Sequence, residues 1–270
     1  MKEEREGLPK VTVCLITKNR YDEVFNAIAS ILDQDYDNYE LLIIDGGSDD
    51  DTCPKLAQIE AAYDNVKVKY YKCHSYILAY NIAFKLAEGD YIAIMESDDI
   101  CTPNRIRVQA EYLMKHKSVD VVSCTTMMEG GYAIGNTING LTQTQIMDLL
   151  KTNDVFTVCP FQTVMFRRSV LDDWGDGEMF LCPELADGHG GDVFLYTLMC
   201  FKHKFANVTD CQYTYRLGIA KYSLSRNLTP QYYIDNFMGK SLNKRKASAR
   251  QLFDKYNKYN VTKEEDHENA

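Results

Sequence analysis

Residues Tyr91 to Arg105, YIAIMESDDICTPNR, decide how this chain is read. Tyr91 to Met95 is a short apolar run of the kind that forms a strand buried on both faces. It ends abruptly in Glu96, Asp98 and Asp99, and Pro103-Asn104 then opens a helix. A carboxylate cluster at the carboxyl end of a strand lies where open α/β sheets place their ligands. Carboxylates this close repel one another until a cation neutralises them. Hard divalent ions such as Mg²⁺ or Mn²⁺ suit oxygen ligands and bridge to substrate phosphates. An acidic, solvated turn is the alternative for an isolated D-x-D, so the flanking sequence has to decide.

Upstream, Val11 to Thr17 (VTVCLIT) and Tyr39 to Ile44 (YELLII) are further continuous apolar runs, and Val66 to Tyr71 is a third strand. Between them lie helical patterns. Asp22 reads as the N-cap of the first, Pro54 to Tyr63 forms the second, and Ser75 to Glu88 the third, with Gly89 as its C-cap. After the acidic cluster come a helix from Asn104 to about His116 and a strand at Asp120 to Cys124. Strands alternating with helices across short connections imply a parallel sheet covered on both faces. The polar strand ends then open on one edge and form one crevice. Farther on, Thr142 to Leu150 reads as a helix, Thr163 to Arg167 as a strand, Trp174 to Gly191 as a functional loop, and Asp192 to Phe201 as a helix.

The composition is that of an ordinary globular chain: 270 residues, 45% hydrophobic and 26% charged, with a net charge of −9. That charge argues against a nucleic-acid partner, whose phosphates need Lys and Arg. Nine cysteines stand singly with no C-x-x-C pair, which favours reduced thiols in a cytoplasmic compartment over disulfides or zinc. The first ten residues, MKEEREGLPK, lack a signal-peptide core, and no apolar run approaches the ~18 residues of a membrane span. The sequons at Asn207, Asn227 and Asn260 are read as chance matches. The basic stretch Lys240 to Lys246 allows at most peripheral contact with an anionic membrane, and VTKEEDHENA reads as a disordered acidic tail.

Several positions can carry chemistry, and each has a plainer reading beside it. Asp45 ends a strand and can accept from a ribose hydroxyl or a base N–H; Asp-Gly-Gly-Ser equally invites an Asx-turn. Thr17 can meet a base, and Lys18 and Arg20 a diphosphate, or the run Thr17 to Arg20 is a simple loop. Asn81, on an apolar helix face, either touches a ligand or orients the acidic loop. Asp192 is either an N-cap or a general base that takes a proton from an acceptor hydroxyl. His189 is a rival base or ligand. No G-x-G-x-x-G is present, which weakens a dehydrogenase reading.

In this order, VTVCLITKNR, YELLIIDGGSDDDT, LAYNIAFKLAEGDYIAIMESDDICTPNRIRVQ and TVMFRRSVL resemble an inverting family 2 glycosyltransferase of the GT-A fold. The resemblance covers about residues 10–225, a nucleotide-binding half (10–124) and an acceptor-binding half (125–225), followed by a helical extension over 226–270. It implies a Rossmann-like α/β three-layer sandwich with a central, mostly parallel sheet. It also implies that Thr17, Asn19, Arg20, Asp45, Asn81, Glu96 and Ser97 bind a nucleotide-sugar, typically a UDP-sugar, with Asp45 on the base. Asp98 would ligate Mn²⁺ or Mg²⁺, Asp192 would be the catalytic base, and the acceptor would be a glycan, a lipid-linked glycan or a protein. Tyr215-Arg216 resembles the aromatic-arginine pair that closes the domain.

Three positions depart from the family pattern: Glu96 stands for Asp, Gly191-Asp192 for Glu-Asp, and Phe161-Gln162 for His-Pro. These departures sustain a second reading, a non-catalytic nucleotide-sugar-binding protein on the same fold. A nucleotidyltransferase is a third, although Val11 to Arg20 lacks the glycine that a phosphate loop would use.

Overall fold

The computed structural model describes residues 7–73, 76–128, 132–134, 161–174 and 203–216. The expected helices at Thr142 to Leu150 and Asp192 to Phe201, the loop at Trp174 to Gly191 after its first residue, and the extension over 226–270 lie outside the described residues. Strands β1 (Val11–Thr17), β2 (Tyr39–Asp45), β3 (Val66–Tyr70) and β4 (Tyr91–Glu96) form a parallel block in the order β3-β2-β1-β4. Beyond β4 the sheet continues through β8 (Met165–Arg167), β6 (Val121–Met128), β9 (Phe205–Tyr215) and β5 (Ile100–Cys101), with β7 (Tyr132–Ile134) on β6. β6 and β9 run with the first four strands; the short β5, β7 and β8 oppose them. The sheet is therefore mixed but mostly parallel, on an α/β plan.

Helices cover both faces. Val11, Val13, Leu15, Leu41, Ile43, Ala93 and Met95 share one core with residues of α1 (Tyr21–Leu32), α2 (Thr52–Ala62) and α4 (Arg105–Lys115). The alternate residues, such as Cys14, Leu42, Ile44, Ile92 and Ile94, are just as buried on the opposite face. There α3 (Tyr76–Leu86) packs on β1 and β2, and its Phe84 meets Phe166 of β8 edge to face at 5.7 Å. Side chains alternate across a strand, so burial on both faces accounts for the unbroken apolar runs of β1, β2 and β4.

Helix boundaries differ from the sequence expectation where local chemistry decides. Asp22 does not cap α1: the cap position is Arg20, whose side chain makes no cap hydrogen bond, and Asp22 and Glu23 lie in the first turn. There they complement the positive end of the helix dipole. α2 begins at Thr52, ahead of Pro54, because Asp50 Oδ1 accepts the Thr52 N–H at 3.0 Å. α3 ends at Leu86, so Gly89 is not its cap, and its backbone is not left-handed. Close approach explains that glycine instead. A Cβ there would lie 2.5 Å from Thr12 N and 2.7 Å from Tyr91 O. Its N–H donates to Thr12 Oγ1 at 2.8 Å.

Two irregular features of the sheet fix its strands relative to one another. At its amino edge, Glu40 of β2 accepts from Thr12 Oγ1 (2.6 Å) and pairs with Lys10 (2.8 Å) and Lys67 (3.0 Å), tying the entries of β1, β2 and β3 together. In β9 the register jumps: Val208 is opposite Cys124, yet Gln212 is opposite Thr125. The extra residues Thr209, Asp210 and Cys211 form a bulge, which shifts the alternation of the strand. Ala206 and Val208 face the α4 side before it; Cys211, its last residue, and Tyr213 beyond it face the same side.

The six described cysteines are all free, and five are buried. Asn207 is 4% exposed and accepts from Ser123 Oγ at 2.8 Å, so its side chain is packed inside rather than presented as a glycosylation site.

Candidate active site

The carboxyl ends of β1, β2 and β4 lie side by side. Thr17 is paired in register with Asp45, and Ile16 with Glu96. Chain geometry thus brings together three positions singled out in the sequence. The loops beyond them are laced together. Gly46 N–H donates to Thr17 O at 2.8 Å, and Cys73 N–H to Gly46 O at 3.1 Å. Lys18 Nζ reaches Cys73 O at 3.3 Å. Asn19 takes a left-handed conformation (φ 50°), which Asn tolerates better than most residues. Its N–H donates to Ser48 Oγ (2.8 Å) and its Oδ1 accepts from Asp49 N–H (2.9 Å). Gly47, also left-handed at φ 88°, completes the turn.

Asp45 organises that turn. It is fully buried; Oδ1 accepts from the N–H groups of Gly47 (2.9 Å) and Ser48 (2.8 Å), and Oδ2 accepts from Ser48 Oγ (2.6 Å). The Asx-turn reading therefore describes its protein contacts, with two N–H donors on Oδ1 and the Ser48 hydroxyl on Oδ2. Beside it, Thr17 is 2% exposed and its Oγ1 has no hydrogen-bond partner among the described residues. A buried hydroxyl without a partner costs free energy. That orphan lies at the carboxyl end of β1, beside Asp45, and makes Thr17 a candidate ligand contact.

The acidic loop is divided in use. Asp98 Oδ2 lies 3.3 Å from Arg20 Nη1, and both side chains retain some exposure, 17% and 31%. Arg20 and Asp98 thus form an ion pair between the loops that follow β1 and β4. Ser97 is buried at 8%, and Glu96 is half-buried at the strand end. Asp99 departs from the expectation of one acidic trio around a cation. It is 1% exposed, accepting from Tyr213 Oη at 2.8 Å and from Arg216 N–H at 2.9 Å. Burial pushes its pKa up to about 7; the Arg216 N–H opposes the rise, neighbouring Asp98 adds to it, and the Tyr213 hydroxyl opposes it. Its carboxylate turns toward β9 and away from any shared ion.

Asn81 sits on α3, 3% exposed. Asp192 and His189 lie outside the described residues. Arg216 follows the end of β9 and, through its backbone, meets Asp99. Two supporting residues went unread in the sequence. Arg105 is 1% exposed; its Nη2 donates to Ile94 O (2.9 Å) and Gln162 O (3.1 Å), and its guanidinium lies 4.9 Å from the Tyr213 ring. The available signal was Arg105 and Gln109, polar at i and i+4, on the face of α4 that carries Ile106, Ala110 and Leu113. Tyr213 was visible only as an aromatic two residues before Tyr215.

Among the described residues no three His, Cys, Asp or Glu side chains converge into a metal cage. The donors at hand are Asp98 and Glu96. Hard oxygen ligands from one or two carboxylates, completed by substrate phosphates, are what Mg²⁺ and Mn²⁺ take. The residues present fit such an ion.

Comparison with known proteins gives the family and the fold. The model of the family described as Glycosyl transferase family 2 matches residues 12–175. Over 116 residues the chain is 36% identical to EpsE of Bacillus subtilis (strain 168), which is named as a glycosyltransferase; the match covers 42% of each protein. TuaG of the same organism, named for teichuronic acid biosynthesis, is 28% identical over 162 residues, covering 59% of this chain and 63% of TuaG. The match thus spans about half the length of these relatives. Among solved structures, S. aureus TarS 1-349 in complex with UDP-GlcNAc aligns with a TM-score of 0.63 at 16% identity, over 93% of this chain and 73% of that one. That likeness is one of fold.

Proposed function

We propose a reaction for a chain that belongs to glycosyl transferase family 2: transfer of a sugar, hexosyl or N-acetylhexosaminyl, from a UDP-sugar to an acceptor hydroxyl, with inversion at the anomeric carbon. The observation that carries this reading is the register of Thr17, Asp45 and Glu96 at one sheet edge, with an orphaned hydroxyl on the first and Asp98 facing Arg20 beyond the last. That TarS has been solved with UDP and with UDP-GlcNAc supports a uridine donor.

In this reading the base and ribose lie over Thr17 and Asp45, with Glu96 near the ribose. Asn19 holds the loop that closes over them, and Asn81 and Ser97 line the inner wall. Arg20, with Lys18 beside it, stands toward the diphosphate. Asp98, with Glu96, would hold Mn²⁺ or Mg²⁺, which as a Lewis acid stabilises charge building on the departing diphosphate. Asp192 takes the proton of the acceptor hydroxyl. The acceptor oxygen bonds to the anomeric carbon from the face opposite the nucleotide while the carbon–oxygen bond to the β-phosphate breaks and UDP leaves. A single displacement inverts the configuration without a covalent enzyme intermediate. The acceptor is a glycan, a lipid-linked glycan or a protein.

The test is a thermal-shift panel of UDP- and GDP-sugars, with and without Mn²⁺, followed by assay of nucleotide release. The expected result is stabilisation by a UDP-sugar, strengthened by Mn²⁺, and slow release of UDP. Absence of any nucleotide response overturns the reading. Binding without turnover replaces it with a nucleotide-sugar-binding module.

A further inference from the structure

We propose that Asp99 and Tyr213 are positioning residues that hold the Glu96–Asp98 segment in place for the donor, an inference that rests on the function proposed above. The segment is weakly fastened by its own backbone; its turn is closed by a single long contact, Asp99 N–H to Glu96 O at 3.4 Å. Besides the β1 pairing at Glu96 and the Asp98–Arg20 ion pair, its fixed points come from β9. The hydroxyl of Tyr213 accepts the Glu96 N–H at 3.2 Å and donates to Asp99 Oδ2 at 2.8 Å, so one oxygen spans both ends of the segment. Asp99 Oδ1 takes the Arg216 N–H, which joins the residue after β9 to the same clamp. Tyr213 is itself immobilised. It is fully buried, paired in register with Cys101, and its ring lies against the Arg105 guanidinium, which is bonded to backbone carbonyls of Ile94 and Gln162.

The chemistry of the clamp points the same way. A carboxylate held at 1% exposure carries a desolvation cost that a neutral turn residue would avoid. That cost is offset only by the contacts Asp99 makes, and they run to the carboxyl end of β9. The positions of Glu96 and Asp98 relative to Thr17 and Asp45 then depend on a residue more than a hundred positions away in sequence, through the 114-residue separation of Tyr213 from Asp99.

The experiment is calorimetric titration of UDP into the full chain with and without MnCl₂, alongside thermal melting. Tyr213→Phe keeps the ring and its contact with Arg105 but removes the spanning oxygen. Its UDP affinity in Mn²⁺ falls about five- to tenfold, the scale of one net hydrogen bond, with a modest loss of Tm. Asp99→Asn, which keeps an acceptor for Arg216 N–H but sets an amide against the tyrosine hydroxyl, gives the same loss. Thr102→Val removes the hydrogen bond from Gln212 N–H (3.0 Å) at the neighbouring β5–β9 seam and touches neither Glu96 nor Asp99. It lowers Tm and leaves UDP affinity unchanged. Wild-type affinity in both Tyr213→Phe and Asp99→Asn, or an equal loss in Thr102→Val, overturns the positioning role. A wild-type chain that binds no UDP under either condition overturns the function itself, and the two failures are therefore distinct.

Discussion

Replacing Glu40 by Gln should weaken the fold by about 2 kcal/mol at pH 7 and leave donor binding untouched. The carboxylate is 5% exposed, between Lys10 at 2.8 Å and Lys67 at 3.0 Å, and also accepts from Thr12 Oγ1 and Glu88 N–H. Burial alone would raise its pKa; the hydrogen bonds from Lys10, Thr12, Lys67 and the Glu88 N–H more than reverse this and bring it down to about 2 from an ordinary 4.5. By linkage that drop corresponds to roughly 3 kcal/mol. Both lysines are about a third or more exposed, 32% and 44%, and solvent screening trims the figure to about 2 kcal/mol. Because the folded-state value is depressed, the stabilisation is complete above pH 4.5 and disappears as pH falls through about 2. Urea unfolding of wild type and Glu40→Gln across this range should show a gap that is constant near neutrality and narrows below pH 4.5. A gap that stays the same width at every pH, or never opens, would refute the electrostatic account. Unchanged UDP affinity is expected as well, since Glu40 stands near the start of β2 and Asp45 at its end.

Asp98→Ala should remove the Mn²⁺-dependent part of UDP affinity, a loss of roughly 100-fold by calorimetry; equal affinities with and without Mn²⁺ in wild type would dismiss the role. For Asp192→Asn, donor binding should survive while transfer to acceptor falls by ~100-fold or more, and wild-type turnover would exclude it as the base. Gly89→Ala should cost about 2–3 kcal/mol in chemical denaturation, because its Cβ meets only backbone atoms, at 2.5, 2.7 and 2.8 Å. A neutral result there would mean that β1 and β4 part more easily than their packing implies.

How legible each feature is in sequence depends on how far its causes reach. β1 and β2 are bounded to within a residue because burial on both faces writes itself locally as an apolar run. The acidic strand end is equally visible, since loop polarity and strand hydrophobicity change within one residue of each other at Met95–Glu96. Helix starts are less so. Asp22 and Asp50 are both acidic residues near a helix start, and which of them accepts a backbone N–H depends on loop geometry. The glycine at 89 stands out in the sequence as a helix cap, whereas its true cause, close approach to Thr12 and Tyr91, is a tertiary fact. Asp99 cannot be separated from Asp98 by inspection. What divides them is Tyr213, and a contact 114 positions away leaves no mark on local spacing. Arg105 is hidden similarly, as its acceptors are main-chain carbonyls that any sequence would supply.

The bulge in β9 has a consequence for how this chain can change length. Three residues, Thr209 to Cys211, stand where the partner strand has none, and Asn104 Nδ2 fastens them by donating to Asp210 O at 2.8 Å. Because a strand has a two-residue side-chain period, an odd insert exchanges inside for outside in everything after it. A residue lost or gained in that triplet is tolerated only if the bulge absorbs it and Tyr213 stays opposite Thr126; a one-residue slip of the ladder would turn the phenol to the far side of the sheet, out of reach of Asp99.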